Sequence, residues 1–301
     1  LTELNNVIGF DEIFNNLSQL KLSVYAPITY ILPSRLAKYE DMYDTEIEGG
    51  KSKFRQVDRE KSLQSLMTSN LLKRLESSVH SFRLTLQKLQ GKYDGILSII
   101  QDYNDGLITD KSFSSALANE DIDDEDLENI SETFIGDNIK INLADMDVKS
   151  WEYDLKNDLK LVEFLLEEMH KITPEHDFKL QDIKSHIDNK IKNPINPGNK
   201  KVIVFTAFAD TADYLYEHIS EYIQDEHYLH SAKVTGSKNT TTANGSYDFQ
   251  SILTLFSPKS KDKDVLMPDD ANEIDILIGT DCISEGQNLQ DCDYLINYDI
   301  H

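Results

Sequence analysis

The strongest constraint on the fold is an alternation of apolar runs and amphipathic stretches after residue 200. Helical spacing relates Ala212, Leu215, Ile219 and Ile223, and residues 247–256 form a second helical pattern. Strand–helix alternation of this kind predicts an open parallel α/β sheet, and such sheets bind ligands at the carboxyl ends of their strands. The four apolar runs that we interpret as strands cover residues 201–206, 228–234, 273–279 and 293–298.

The chain before residue 200 is predicted to be mainly helical. Across the basic segment 51–92, apolar residues from Leu63 to Leu89 recur at steps of three or four, which predicts one long helix. Residues 21–32 alternate and are rich in β-branched and aromatic residues, so a strand is expected there, followed by a helix over 33–46. Further helices are predicted over two segments, 151–171 and 177–190.

Two prolines and a glycine among polar residues at 193–199 predict a linker, and we place a domain boundary there. The resulting division has four parts. They are residues 1–50 (a strand and a helix), a helical region 51–192 with an acidic loop near 120–137, the linker 193–199, and an α/β domain over 200–301.

The charge is strongly acidic and unevenly spread. The chain has 54 Asp and Glu against 30 Lys and Arg, a net charge of −24, which excludes a protein that grips nucleic acid over its whole surface. Residues 51–92 are the exception, with ten basic against three acidic residues, whereas residues 200–301 have seven against eighteen. Four cations lie off the apolar stripe of the basic helix, where they suit a phosphate-contacting face and a solvated face equally: Lys73, Arg74, Arg83 and Lys88.

Other classes of protein do not fit the sequence. Cys282 and Cys292 are too few for a disulfide scaffold, and His227 with His230 has no third ligand nearby, so no metal site is expected. No apolar run approaches the roughly 18 residues that cross a bilayer. The N-terminus also lacks the layout of a signal peptide. We therefore expect a cytoplasmic protein with no membrane partner.

Residues 275–299 carry the most informative pattern. An apolar strand ends in Thr280, a turn with Gly286 and Asn288 follows, and a second apolar strand ends in Asp299. Glycine allows a ligand to approach the backbone closely, and an asparagine amide can hydrogen-bond a hydroxyl. The same spacing also fits a tight connection capped by glycine that binds nothing.

This stretch resembles motif V of superfamily-2 helicases, in the form found in bacterial Swi/Snf-like ATPases. The resemblance covers residues 200–301 well and residues 30–90 more loosely. The other matching segments are 202–206 with 211–215 (motif IV), 233–236 (motif IVa), the helix-end pattern 252–259, and residues 71–78 and 32–35, which look like segments between the two ATPase lobes.

The resemblance implies a fold and a set of roles. The fold would be α/β, a RecA-like parallel sheet with flanking helices. It would form a second helicase lobe that is truncated at its C-terminus and preceded by a mainly α-helical region, with residues 1–50 connecting the lobes. Residues that match the family contacts to the nucleic-acid backbone are Thr206, Gly236 and Thr280, and those that match the contacts to ATP or between lobes are Glu285, Gly286 and Asn288.

The departures from the family pattern shape the expected function. The phosphate-binding loop and the Asp-Glu motif belong to the first lobe, and no arginine that could serve as an arginine finger follows Arg83. We expect a fragment of a bacterial, DNA-stimulated ATPase that has no catalytic residue of its own. It would hold ATP and Mg²⁺ only with the first lobe of the same parent chain, and its other partner would be DNA, duplex and sequence-independent. The alternatives are a stand-alone α/β nucleotide-binding module and an acidic interaction scaffold without ATPase activity.

Overall fold

A computed structural model describes residues 7–43, 45–46, 53–54, 56–107, 112–114, 140–236, 238–283 and 287–299. The acidic loop near 120–137 lies outside the described residues. The chain forms two compact units. The helical unit takes its residues from Asn6–Lys73 and Arg83–Lys171, and the α/β unit from Arg74–Phe82 and Ile172–His301.

Among the described residues, five helices make up most of the helical unit. They are α1 (Phe10–Gln19), α2 (Pro33–Tyr43), α3 (Gln56–Ser77), α4 (Val79–Asn104) and α5 (Val148–His170), and the end of α3 and the start of α4 belong to the α/β unit. Two short antiparallel pairs accompany them, β1 (Thr45–Glu46) with β2 (Lys53–Phe54), and β3 (Ser112–Ser114) with β4 (Lys140–Asn142). The helix α5 buries Trp151, Leu155, Val162 and Leu165, whose spacing places them on its core face.

The strand predicted over residues 21–32 is wrong. The buried carboxylate of Asp158 on α5 accepts hydrogen bonds from the backbone N–H groups of Lys21 (2.8 Å) and Ser23 (2.9 Å) and from the Ser23 hydroxyl (2.7 Å). The N–H groups of this segment thus donate to a side chain of the helix α5 and not to the carbonyls of a neighbouring strand. Two 3₁₀ turns occupy the segment instead, Ser23–Tyr25 and Pro27–Tyr30.

The single long helix predicted across the basic segment is also wrong, because it breaks at Ser78. The Ser78 hydroxyl oxygen accepts a hydrogen bond from the backbone N–H of Ser81 at 3.0 Å, which is the N-cap interaction that starts α4. Apolar periodicity continues through the break, so the periodicity alone could not show it.

The α/β unit contains the parallel sheet that the sequence predicts. Its elements are α6 (Phe178–Lys192), β5 (Val202–Phe205), α7 (Ala209–His227), β6 (Ser231–Val234), β7 (Asn239–Thr241), α8 (Phe249–Phe256), α9 (Lys263–Leu266), β8 (Ile276–Gly279) and β9 (Leu295–Asn297). The strand order is β7-β6-β8-β5-β9. All neighbouring pairs are parallel except β6 with β7. The strand β7 is polar and was not predicted.

Helices cover both faces of this sheet, as expected for a RecA-like α/β fold. Val202 and Val204 of β5 pack in one core cluster with α6 and α7, and Ile203 packs in a second cluster with α8. Successive residues of a strand point to opposite faces, so both faces require apolar residues. This requirement explains why every residue of β5 is apolar.

The predicted linker 193–199 lies inside the C-terminal stretch of the α/β unit, Ile172–His301. The Asn196 side chain donates to the Asp293 carboxylate at 2.7 Å, and that carboxylate also pairs with buried Lys190 at 2.6 Å. The Asn199 side chain donates to the Asp291 carbonyl at 2.9 Å. Prolines and glycine mark the turn correctly, but the turn joins α6 to the sheet against which α6 packs.

Candidate functional site at the carboxyl ends of the strands

Three threonines form a row at the carboxyl edge of the sheet. Val234, Gly279 and Phe205 are in register as the last residues of β6, β8 and β5. The next residue on each of these strands is a threonine, and all three are at least nine-tenths buried: Thr235, Thr280 and Thr206. The sheet thus brings together Thr206, Thr280 and the position of Gly236, as expected for the ends of neighbouring parallel strands.

Thr206 is held by Asp299, which follows β9. The Thr206 hydroxyl donates to the Asp299 carboxylate at 2.6 Å, and the backbone N–H of Ala207 donates to the same oxygen at 2.7 Å. Hydrogen bonds to a carboxylate are short and strong. In this arrangement the hydroxyl proton of Thr206 points to Asp299 and is not offered to a ligand.

Lys179, from α6, lies on the other side of the Asp299 carboxylate. Its ammonium donates to Asp299 at 3.4 Å and to the backbone carbonyls of Glu76 (2.9 Å) and Ser77 (2.8 Å). It also lies 3.8 Å from the centre of the Tyr298 ring. Burial lowers the pKa of Lys179 below its ordinary value, while the charge of Asp299 opposes that shift. The three donors of the ammonium thus have three acceptors.

Gly279 sets the geometry next to Thr280. A Cβ at Gly279 would lie 2.5 Å from Cδ1 of Ile283 and 3.0 Å from the carbonyl oxygen of Val234. The Thr280 N–H donates to that same Val234 oxygen at 3.3 Å, and its hydroxyl contacts the Cys282 sulfur at 3.7 Å. A side chain at position 279 would therefore crowd Ile283, in the turn after β8, and the neighbouring strand β6 at Val234.

Of the residues assigned to ATP or the lobe interface, Glu285 and Gly286 lie outside the described residues. Asn288 is exposed, and its side-chain amide donates to the carbonyl of Ser260 at 3.3 Å. Gly236 is exposed, and among the described atoms nothing lies within 4 Å of a Cβ built on it. A larger side chain would fit at position 236, so packing does not require a glycine there.

The four cations of the basic segment are not equally exposed. Lys73, Arg83 and Lys88 belong to the helical unit; Lys73 and Lys88 are exposed and Arg83 is half-buried. Arg74 belongs to the α/β unit and is 1% exposed, so the prediction that it lies off the buried stripe is wrong. Its guanidinium pairs with Asp210 at 2.8 Å.

Arg74 begins a docking segment, Arg74–Phe82, which packs on the first turns of α7. The Arg74 guanidinium stacks over the Phe208 ring at 4.7 Å, and the Ser77 hydroxyl lies 2.8 Å from the Thr211 hydroxyl. The ring of His80 stacks on Tyr214, with 4.9 Å between centroids and 9° between planes. This segment therefore has polar, ionic and aromatic contacts with one helix end.

Sequence reasoning missed several residues of this site. Lys179 lies in a segment interpreted only as a helix, Asp210 was not singled out, and Thr211 was named only as part of the motif IV resemblance. Asp299 was identified only as a strand end, and nothing in its sequence neighbourhood shows that it accepts from Thr206. One signal was available: Lys179 lies on α6 within a helical turn of the core residues Leu180 and Ile183, and a partly buried charge beside a core favours a partner.

In the described part of the chain, His, Cys, Asp and Glu side chains do not gather in groups of three that could hold an ion. Among the described helices, none combines the length and the apolar character of a membrane span.

The fold and the polar strand ends define an α/β domain of the RecA-like class. Within this frame, residues 187–301 match the helicase conserved C-terminal domain family. This match confirms that the region from residue 200 is similar to the C-terminal lobe of a helicase. No curated protein matches the sequence.

Among solved structures, the chain is similar to the helicase domain of Pyrococcus furiosus Hef, with 12% sequence identity and a TM-score of 0.39. That similarity covers 96% of this chain and 47% of the Hef chain, so this chain spans about half the length of the structure it matches.

Proposed function

We propose that this chain supplies the second lobe of a nucleic-acid-stimulated helicase or translocase of the Swi/Snf-like type, acting on duplex DNA in the bacterial cytoplasm. The observation that carries the proposal is the row of threonines at the carboxyl edge of the sheet, within the residues that match the helicase C-terminal domain. Backbone amides and hydroxyls at such an edge suit a ligand whose phosphates repeat and whose bases are not read.

ATP and Mg²⁺ would be held between this lobe and a first lobe of the same parent protein. The exposed amide of Asn288 fits a contact with a ribose hydroxyl, and the family resemblance assigns Glu285 and Gly286 to the same role. When bound, the nucleotide supplies the free energy of phosphoryl transfer, and the residues of this chain would orient it and exclude water. We expect no ATP turnover by this chain without the first lobe.

The charge distribution decides where DNA affinity would come from. Residues 200–301 carry eighteen acidic against seven basic residues, and the proposed contacts Thr206, Gly236 and Thr280 are uncharged. Long-range attraction for phosphate would therefore depend on Lys73, Arg83 and Lys88 of the helical unit. Arg74 is excluded from these phosphate-contacting cations because its guanidinium is buried and paired with Asp210.

A salt series on a short DNA duplex tests the proposal. The variant Lys73→Gln/Arg83→Gln/Lys88→Gln should bind more weakly and flatten the slope of log affinity against log salt by about one unit for each lost phosphate contact. The matched control is Lys149→Gln/Lys156→Gln/Lys160→Gln, which removes three exposed lysines of α5. The control should leave the slope unchanged.

Equal slopes for wild type and both variants would show that these three cations of the helical unit do not contact DNA. Binding of a nucleotide without any DNA affinity would instead favour the stand-alone nucleotide-binding module. The flanking gene sequence is an independent test: a Gly-Lys-Thr loop encoded upstream and a Gln-Arg-x-Gly-Arg stretch downstream would support a two-lobed parent.

A further inference from the structure

Lys179 links the docking segment Arg74–Phe82 to Asp299, the residue that holds the strand-end loop at Thr206. Its ammonium donates to two carbonyls at the end of α3, those of Glu76 and Ser77, and to the carboxylate of Asp299. Asp299 in turn accepts from the hydroxyl of Thr206. A continuous path of hydrogen bonds therefore joins the docking segment to the carboxyl edge of the sheet.

The carbonyls of Glu76 and Ser77 belong to the last turn of α3, where helix carbonyls have no partner within the helix. Lys179 fills that role, and a cation is favoured at this end of a helix. If the docking segment left α7, the ammonium would lose two of its three acceptors while Asp299, at 8% exposure, stayed buried beside it. The Lys179 side chain is 39% exposed, so water could replace the lost carbonyls and draw the ammonium away from Asp299. The buried carboxylate of Asp299 would then lose its counter-charge, which is expensive, so the loop that it holds should loosen.

We propose that the docking segment is a releasable latch: while it is docked, Lys179 and Asp299 hold the loop from Thr206 to Phe208 in one conformation, and its release frees that loop. The docked state directs the hydroxyl of Thr206 and the N–H of Ala207 to Asp299. Release makes both donors available to an anionic ligand. That these donors bind phosphate rests on the proposed function. The coupling between the docking segment and the loop does not.

Amide hydrogen exchange, measured without DNA or nucleotide, tests the latch. The readout is the exchange rate of the Ala207 N–H, which bonds Asp299, divided by that of the Ile203 N–H, which bonds the Tyr294 carbonyl within the sheet. Lys179→Met should raise this ratio about tenfold, because hydrogen bonds to a charged group are lost. The control Lys184→Met removes a lysine that lies on the same helix over the ring of Tyr222, and it should leave the ratio unchanged.

A second variant separates the latch from a local role of Lys179. His80→Ala removes the stacking between His80 of the docking segment and Tyr214 of α7, and it leaves the side chains of Lys179 and Asp299 in place. It should raise the ratio about threefold, in line with the loss of one aromatic contact. An unchanged ratio in His80→Ala, an unchanged ratio in Lys179→Met, or an equal rise in Lys184→Met would each overturn the latch. Because a general loosening of the sheet affects both amides, it cancels in the ratio.

Discussion

At the scale of single residues, the carboxyl edge of the sheet shows how packing decides what a polar side chain can do. Thr206, Thr235 and Thr280 occupy equivalent register positions, yet their hydroxyls donate to different groups: a carboxylate, the Lys238 carbonyl and a cysteine sulfur. A hydroxyl has only one proton to donate. A ligand that takes this proton must therefore displace a protein acceptor, and the displacement is most demanding at Thr206, whose acceptor is charged.

Gly279 gives a prediction at this scale. Gly279→Ala should lower the free energy of unfolding by about 1–3 kcal/mol, because the new methyl would overlap Ile283 and the rigid carbonyl of Val234. Urea unfolding followed by circular dichroism measures the change. Gly95→Ala is the control: Gly95 is exposed in the interior of α4 with open space around it, and alanine there should stabilise by about 0.5–1 kcal/mol. Equal effects of the two substitutions would contradict the close approach of β8 to β6.

At the scale of elements, periodicity identified the helices but not their interruptions. The apolar spacing through Leu71, Leu75, Val79 and Phe82 continues across the break between α3 and α4, and all four residues are buried. The break depends on Ser78, whose hydroxyl caps α4 and lies 3.1 Å from that of Thr211. A serine within an apolar helical pattern is common, and only the contact with α7 distinguishes this one.

Ser78→Ala should destabilise the protein by about 1–2 kcal/mol, the usual effect of losing an N-cap. The loss should appear as a lower urea midpoint with an unchanged slope, since the folded state would remain compact. Ser62→Ala provides the comparison, because the Ser62 hydroxyl is exposed and donates only to the Asp58 carbonyl of its own helix. If Ser62→Ala destabilised as much as Ser78→Ala, the cap would have no special role.

At the scale of the whole molecule, the net charge of −24 acts on stability as well as on binding. Like charges repel one another more in the compact state than in the unfolded chain, and salt screens this repulsion. Moderate sodium chloride should therefore raise the melting midpoint, while the same salt weakens any affinity for DNA. Thermal unfolding at low and moderate ionic strength, with potassium chloride as a second salt, measures the effect. A midpoint that falls with both salts would show that favourable ion pairs, such as Lys190 with Asp293, outweigh the repulsion.

The sequence by itself determined the class of fold from residue 200 onward, because a parallel strand covered on both faces must be apolar at every position, as in 202–205 and 276–279. It also determined which strand ends would meet, since parallel strands end at one edge. Only the tertiary structure decided the partners of the polar groups. The break at Ser78, the burial of Arg74, the turn at 193–199 and the bonds of Lys179 and Asp299 all depend on contacts between residues distant in the chain. Local patterns record which face of an element is apolar, but a hydrogen bond or ion pair is decided by the group that packing brings opposite it.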